Sequence, residues 1–372
     1  MAFALESVLV EPTGWGITCV LLSLWMGRFL GFFGHRRWGS THDPISVMIW
    51  ADVPRVAAQF GLLAYLYAFD NGIAAMSVSS FVYGAATSFF MPARFVSMPY
   101  MVRASLLKEA NAWLAMTENV YAIAGPLVGS AVVASLGFKS VLWFDGITFL
   151  ASLVFLLCLK KRVVPQNASS GDAVGHMAGE GPPENASMPV RRWPLWVVSG
   201  LASWFFCFLL IGFLGAARPT WVLGAHAPVA LAVLTTGVAV GSLMGSATSL
   251  LSRVHQKRWA VVHGISSLGL ALQLYVLTLP IAIWVPCGVG FVASFFTMVS
   301  EIRWNTTAQH RFCDKDLHRF ASLDQCVHTA GIPLGMLLFG VSSTLGWTDV
   351  VVPILALVTS GFGIVPLFFR KS

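Results

Sequence analysis

Long apolar stretches follow one another along nearly the whole chain, and polar residues are concentrated in the short segments between them. Each stretch holds about 20 residues, and at about 1.5 Å per residue a helix of that length crosses roughly 30 Å of hydrocarbon. The pattern predicts an all-α polytopic membrane protein with about eleven transmembrane helices, about five before a polar segment and about six after it. The predicted spans are residues 14–33, 46–69, 72–92, 112–134, 139–159, 196–216, 228–250, 259–277, 281–300, 321–344 and 348–369.

The polar segment divides the chain into two halves. Residues 163–193 are rich in Gly, Pro and polar side chains and hold too little apolar content to form a core. We therefore expect an N-terminal helical bundle over residues 1–162, a flexible cytoplasmic linker over residues 163–193 and a C-terminal bundle over residues 194–372.

The two halves share a short motif. Residues 124–127 (Ala-Gly-Pro-Leu) are followed by Leu-Gly-Phe at 136–138, and residues 330–334 (Ala-Gly-Ile-Pro-Leu) are followed by Leu-Gly-Trp at 345–347. This similarity predicts a parallel repeat of half the chain. Repeats packed around an axis normal to the membrane leave a solute pathway at their interface.

The composition indicates that lipid is the principal solvent. Hydrophobic residues make up 56% of the 372 residues and charged residues only 10%, whereas soluble domains hold roughly 25% charged residues. The formal net charge is +7. Because the basic residues lie in short loops between apolar stretches, we attribute this charge to membrane topology and expect no nucleic-acid partner.

The 23 Lys and Arg residues are distributed unevenly between alternate loops. Cytoplasmic loops carry an excess of Lys and Arg, so the richer set of loops is predicted to face the cytoplasm of a cell or inner membrane. This places the linker and the C-terminus inside, and an odd number of spans places the N-terminus outside. The opposite loops hold only Lys139 and Arg218, and Arg28 and Arg55 lie inside spans.

The sequence has no pattern typical of an enzyme, a metal centre or ATP-driven transport. The six Cys residues have no C-x-x-C spacing, so we expect neither disulfides nor a metal site. We find no Walker A pattern, no clustered nucleophile and base, and no removable signal peptide. We therefore expect no cofactor, and we expect an ion gradient or the solute's own gradient to drive any transport.

Several motifs resemble the major facilitator superfamily, and in particular its enterobactin and macrolide exporter branch. In that family a G-P-x-x-G run on the fifth helix is associated with antiport, and Gly125, Pro126 and Gly129 match it. The resemblance implies a secondary transporter that exports a small amphipathic solute, drug-like or siderophore-like, by alternating access and proton antiport. The similar stretches are residues 111–113, 119, 123–129, 136–137 and 144–150.

The register of this resemblance makes the predicted fourth span the family's fifth helix. The family's first helix is then missing, and residues 1–10 are its expected stub. Residues 51–55 resemble the acid and arginine of the family's third helix, and residues 309–320 resemble the segment before its eleventh. The loop at residues 35–43 keeps the family's pair of basic residues but lacks its acid.

Two further residues, Asp145 and Gln309, match family positions, and we expect structural roles for both. Gly125 and Gly129 are four residues apart and share one helix face, where small residues allow a neighbouring backbone to approach. Pro126 removes a helical hydrogen bond. These three residues serve either helix packing alone or packing that controls gate closure.

Four charged residues inside spans are candidates for a cytoplasmic gate. They lie at most about three turns from the cytoplasmic ends of their spans and carry two charges of each sign, and charged residues in spans usually face protein. We hypothesise ion pairs that break and re-form during alternating access. The alternatives are that the side chains reach the interface or form a static pair. The four residues are Arg28, Asp52, Arg55 and Glu118.

Asp324 and His328 are four residues apart near the start of the tenth predicted span. A His beside an acid is suited to passing protons near neutral pH, so this pair is a candidate proton relay; the alternative is a structural histidine. We expect a monomer whose partners are a small-molecule solute, protons and the bilayer. Uptake, lysolipid transport and a truncated protein without transport activity are the alternative functions.

Overall fold

The computed structural model describes residues 15–38, 42–69, 72–168, 193–221, 227–251, 259–312 and 314–368. All regular secondary structure in these residues is helical. Nine of the helices formed by the described residues are long and apolar enough to cross a membrane, and Cys19–His35 forms a shorter apolar helix. The predicted all-α membrane class is confirmed, and the division into five and six spans stays a prediction.

The described residues form eleven α-helices. Two short 3₁₀-helices accompany them, Ala104–Leu106 before the fourth helix and Val365–Leu367 after the last. The α-helices are α1 (Trp15–Arg37), α2 (Pro44–Ala68), α3 (Ile73–Met101), α4 (Leu107–Leu136), α5 (Phe138–Ala168), α6 (Leu195–Trp221), α7 (Ala227–Leu251), α8 (Trp259–Val276), α9 (Trp284–Arg311), α10 (Asp314–Thr344) and α11 (Thr348–Ile364).

Local sequence explains several helix ends. The Asp43 carboxylate caps α2 by accepting hydrogen bonds from the Ser46 amide at 2.9 Å and the Ser46 hydroxyl at 2.7 Å. Between α4 and α5, Gly137 has φ +79°, and between α10 and α11, Gly346 has φ +70°. Only glycine adopts this left-handed conformation without strain. The two corresponding sequence motifs therefore carry the same backbone conformation.

The chain forms two compact units. The first comprises the described parts of Met1–Ala104, Ala124–Ala186 and Phe312–Cys326. The second comprises the described parts of Ser105–Ile123, Ser187–Arg311 and Val327–Ser372. Helices α4 and α10 are therefore each divided between the units. Helix α5 continues to Ala168, and the rest of the expected linker up to residue 192 lies outside the described residues, as do residues 1–10.

In the first unit, α1 packs against α3, and α2 packs against α3 and α5. Small residues bring α1 and α3 together: a Cβ on Gly27 would collide with the Phe81 carbonyl, and one on Gly84 would collide with the Leu24 carbonyl. Such close backbone approach stabilises helix pairs in lipid, where apolar side chains gain little by leaving the hydrocarbon. A buried apolar cluster near Phe138 adds side-chain packing.

In the second unit, α9 packs against α7 and α8, and α11 packs against α8 and α6. Gly241 of α7 faces the Phe291 carbonyl of α9, and Gly335 of α10 faces the Leu209 carbonyl of α6. Glycine again permits contact between helix backbones at these positions.

Candidate functional site

The first unit contains a buried ion pair between Asp52 and Arg55, three residues apart on α2. Arg55 Nη1 donates to Asp52 Oδ1 at 2.9 Å, and the two side chains are 6% and 1% exposed. Ser152 of α5 donates its hydroxyl to Asp52 Oδ2 at 2.7 Å. Both carboxylate oxygens of Asp52 therefore have a partner, as a buried charge requires.

Arg55 also contacts α3 and three aromatic rings. Its Nη2 donates to Thr87 Oγ1 at 3.0 Å. The guanidinium carbon lies 4.7 Å from the ring centre of Phe90, 5.4 Å from that of Tyr83 and 5.5 Å from that of Phe149. These are distances at which aromatic faces attract a cation. The positive charge is thus held by α2, α3 and α5 together.

A second polar contact lies one turn further along α2. Gln59 Nε2 donates to Asp145 Oδ2 of α5 at 3.1 Å. Gln59 is 3% exposed, and its Oε1 has no hydrogen-bond partner among the described residues. Because Asp52, Arg55 and Gln59 are spaced three and four residues apart, they form one polar row on the helix face that packs against α5.

Arg28 is not bonded to the Asp52–Arg55 pair. Its guanidinium carbon lies 5.0 Å from the centre of the Trp25 ring, and its backbone carbonyl accepts a hydrogen bond from Ser88 Oγ of α3 at 2.6 Å. No ion pair joins Arg28 to an acid among the described residues. Glu118 is exposed on α4 and belongs to the second unit. The structure thus pairs two of the four gate candidates, and the gate stays a prediction.

In the second unit a polar cluster links α4 and α9. Asn111 Nδ2 donates to Gln309 Oε1 at 2.6 Å and to Thr306 Oγ1 at 3.1 Å. Further along α4, Asn119 Nδ2 donates to Ser246 Oγ of α7 at 3.1 Å. Asn111 and Gln309 are buried, and both lie in stretches that resemble the transporter family.

The second unit also buries His263 of α8 completely. Its Nε2 lies 2.6 Å from Ser203 Oγ of α6, and its Nδ1 lies 3.1 Å from Ser300 Oγ of α9. The Trp204 ring centre is 4.6 Å from that of the histidine. The sequence patterns above do not single out His263, although a histidine inside an apolar span is a recognisable signal because such groups need polar partners.

The remaining sequence candidates lie on α4 and α10. Asp324 falls in the first unit and His328 in the second, one turn further along α10. The His328 ring packs edge-on against Phe208, with ring centres 3.8 Å apart. A Cβ at Gly125 or Gly129 would meet no atom of the described residues within 4 Å. Pro126 lies in the same helix. The relay and antiport roles stay predictions.

Metal ligands are not grouped in the described ranges, which contain no set of three or more His, Cys, Asp or Glu residues able to hold an ion. The five cysteines in those ranges are free thiols, and Cys313 lies outside them.

Residues 10–322 match the sequence profile of the Major Facilitator Superfamily. Over 348 residues the chain is 24% identical to the multidrug efflux pump Tap of Mycolicibacterium fortuitum, covering 91% of this chain and 80% of that protein. The profile match covers most of the chain. This protein therefore belongs to the major facilitator superfamily: it is a multi-pass membrane transporter of small molecules and not an enzyme.

Solved structures show the same fold. A bacterial homologue of the iron transporter ferroportin, in its outward-facing state, superposes with a TM-score of 0.71 at 16% identity, covering 100% of this chain and 93% of that chain. The E. coli fucose:proton symporter FucP gives a TM-score of 0.67 at 13% identity, covering 100% and 95%. At these identities the comparison establishes the helical architecture alone.

Proposed function

We propose that this protein exports small amphipathic solutes, drug-like or siderophore-like, in exchange for protons. The observation that carries the proposal is the similarity to a multidrug efflux pump over 91% of the chain. The motif at Gly125, Pro126 and Gly129, which resembles the antiport motif of family exporters, supports the same direction of transport.

Exchange requires acidic groups that gain and lose protons inside the membrane, and the spans of this chain supply them. Asp145 lies in α5, and Asp324 lies one turn from His328 on α10. A carboxylate in hydrocarbon is costly unless it is paired, so its protonation depends strongly on its surroundings. A change of surroundings during alternating access therefore changes its affinity for protons.

The excess of Lys and Arg in alternate loops supports a cytoplasmic location for the C-terminus and for the segment between the halves. With this orientation in a bacterial-type cell membrane, an inward proton gradient drives solute outward. We further propose that the protein works as a monomer, since the pathway of such transporters lies between the two halves of one chain.

A proton-exchange assay in inside-out membrane vesicles tests the proposal. A pH-sensitive dye reports the proton gradient, and a panel of amphipathic drugs, siderophores and lysolipids is added in turn. We expect at least one drug or siderophore to discharge the gradient only in vesicles that contain the protein. Vesicles with Glu118→Gln, which removes a gate candidate, show whether that carboxylate takes part.

Discharge by lysolipids alone would instead identify a lipid transporter. Movement of solute and protons in the same direction across the vesicle membrane would identify a symporter. If no compound of the panel discharges the proton gradient, although the protein is present in the membrane at normal levels, proton-coupled drug export is contradicted.

A further inference from the structure

We propose that Asp145 and Gln59 form the proton-binding site of the first unit, while the Asp52–Arg55 pair stays ionised and holds the helices together. This inference rests on the proposed proton antiport. The sequence marks Asp145 only as a structural residue, whereas its contacts in the folded chain indicate a carboxyl group that exchanges a proton.

The carboxylates of Asp52 and Asp145 have different partners. Asp52 accepts from the Arg55 guanidinium at 2.9 Å and from the Ser152 hydroxyl at 2.7 Å, so a full positive charge and a hydroxyl stabilise its ionised form. Asp145 accepts from one neutral amide, that of Gln59, at 3.1 Å. No cation bonds to Asp145 among the described residues.

Asp145 also lies inside the apolar stretch of α5, where an ionised side chain is costly. It is seven residues after Phe138, the first residue of α5, which places it about 10 Å along the helix. The surrounding stretch is apolar enough to be a membrane span. An ionised carboxyl group in hydrocarbon without a cation is costly, and binding one proton removes that cost.

Gln59 can respond to this proton. Its amide nitrogen donates to the carboxylate, while its Oε1 is buried and has no partner in the described residues. A protonated Asp145 carries an O–H, which donates to an amide oxygen. Rotation of the Gln59 amide by a half turn then gives Oε1 the hydrogen bond that it lacks. One proton enters, no covalent bond to carbon changes, and the direction of one hydrogen bond reverses.

The other charged and titratable groups nearby do not neutralise Asp145. On α2, Asp52 and Arg55 bind each other. Tyr83 of α3 lies over the Arg55 guanidinium. On α5 itself, the ammonium of Lys139 lies 4.4 Å from the ring centre of Tyr67, at the other end of α2. The geometry leaves Gln59 as the bonded partner whose orientation depends on the proton.

The reversal links proton binding to helix packing. Gln59 and Asp145 join α2 to α5 next to the contact of Phe60 with Gly146, where a Cβ would lie 3.0 Å from the Phe60 ring. Loss of the carboxylate charge therefore changes a bond at a tight helix contact. In this way the proton alters the α2–α5 interface directly, without breaking the Asp52–Arg55 pair.

Infrared spectroscopy of the full chain in lipid nanodiscs tests the site without a solute. Difference spectra between the wild type and Asp145→Asn isolate the C=O stretch of the protonated Asp145 carboxyl group during a pH titration. Asp349→Asn is the matched control, because Asp349 is an exposed carboxyl group in the first turn of α11. We expect the Asp145 band to be present at neutral pH and the Asp349→Asn difference spectrum to show no such band.

Gln59→Leu supplies a second test. It removes the amide oxygen that accepts from the protonated carboxyl group, so we expect the C=O stretch of the protonated Asp145 band to change frequency. Absence of an Asp145 band at neutral pH, or a C=O stretch that Gln59→Leu leaves unchanged, would overturn the proposal. Both infrared measurements are independent of solute transport.

Vesicle transport separates this proposal from the proposed function. With ethidium as the amphipathic probe, Asp145→Asn should lose gradient-driven ethidium transport while downhill ethidium flux continues, and Asp145→Glu should restore coupling. Full coupling in Asp145→Asn would refute Asp145 as the coupling site. A wild type that never couples protons to any solute would refute the antiport itself, while the infrared titration would still decide whether Asp145 and Gln59 bind a proton.

Discussion

The side chain of Asn111 donates a hydrogen bond to the side chain of Gln309 at 2.6 Å, although the two residues are 198 positions apart in the chain. The bond joins the first turns of α4 to the last turn of α9 inside the second unit. Both residues are buried, where polar side chains need hydrogen-bond partners, and Asn111 Nδ2 donates to Thr306 Oγ1 as well. Two stretches that resemble the transporter family in sequence thus meet in the fold.

A double-mutant cycle measures this bond. We expect Asn111→Ala and Gln309→Ala each to lower the free energy of unfolding by about 1–3 kcal/mol, because each removes one hydrogen-bond partner of a buried polar group. The double variant should lose less than the sum of the two. Asn119→Ala, on the same helix but bonded to Ser246, is the control and should be additive with Gln309→Ala. If the effects of Asn111→Ala and Gln309→Ala were also additive, the hydrogen bond between Asn111 and Gln309 would be contradicted.

The Asp52–Arg55 pair predicts an asymmetric response to charge removal. Arg55→Leu leaves Asp52 buried with the Ser152 hydroxyl as its one remaining hydrogen-bond partner in the described parts of the chain, and breaking a buried pair in this way costs about 3–5 kcal/mol. Asp52→Asn combined with Arg55→Leu removes both charges and should recover much of that loss. The measurement is the thermal unfolding midpoint and the monodisperse fraction after detergent extraction.

Arg311→Leu is the control for this series. Arg311 is exposed and lies 5.0 Å from the ring centre of Trp196, a contact worth about 1 kcal/mol or less at an exposed site. Equal destabilisation by Arg55→Leu and Arg311→Leu would show that the buried pair does not hold α2 against α5.

The hydroxyl groups around His263 give a third prediction. Ser203→Ala and Ser300→Ala each leave one buried imidazole nitrogen without a partner, and we expect each to cost about 1–3 kcal/mol of stability. Ser140→Ala is the control, since Ser140 bonds only the carbonyl of Leu136 one turn earlier. Near-neutral behaviour of both buried serines in thermal unfolding would argue against a structural network.

Glycines on one helix should respond differently to added methyl groups. On α10, a Cβ at Gly335 would overlap the Leu209 carbonyl of α6, whereas a Cβ at Gly340 would meet nothing within 4 Å in the described residues. We expect Gly335→Ala to destabilise the protein by several times as much as Gly340→Ala, which should be neutral or slightly stabilising because alanine favours helix. Similar melting of the two variants would contradict the close α6–α10 contact.

The same reasoning makes Gly125 and Gly129 informative. Alanine at either position meets no described atom within 4 Å, so we expect Gly125→Ala and Gly129→Ala to leave stability nearly unchanged. A loss of solute-driven proton exchange at unchanged stability would then support control of gate closure by this motif. A parallel loss of stability and exchange would indicate packing alone.

The membrane class was predictable because bilayer thickness fixes the length of each span, and the sequence repeats apolar stretches of that length. Asp52 and Arg55 were also predictable as special residues, since each interrupts an apolar span. The residues that bond to Asp52 and Arg55 were not predictable from the sequence. Thr87 and Ser152 are ordinary hydroxyl residues 32 and 100 positions away from the charges they bind, and only helix packing brings them together.

Residue type alone also does not show which glycines contact a neighbouring helix or which acids have a cationic partner. Gly125 and Gly335 are both glycines in helices, but only the second contacts a neighbouring backbone among the described residues. Asp52 and Asp145 are both acids in spans, but only the first has a guanidinium partner. Such differences arise from which helix faces which, and a single sequence contains no direct record of those pairings.

The left-handed glycines at 137 and 346 restrict how neighbouring helices move. Helix α4 ends at Leu136 and α5 begins at Phe138, so one residue connects them, and α10 and α11 are joined almost as tightly through Gly346. The single residue between α4 and α5 cannot stretch by the roughly 5 Å that a one-turn slide of one helix past another requires. The end of α4 and the start of α5 must instead move together, and the backbone of Gly137 takes up any change in the angle between them.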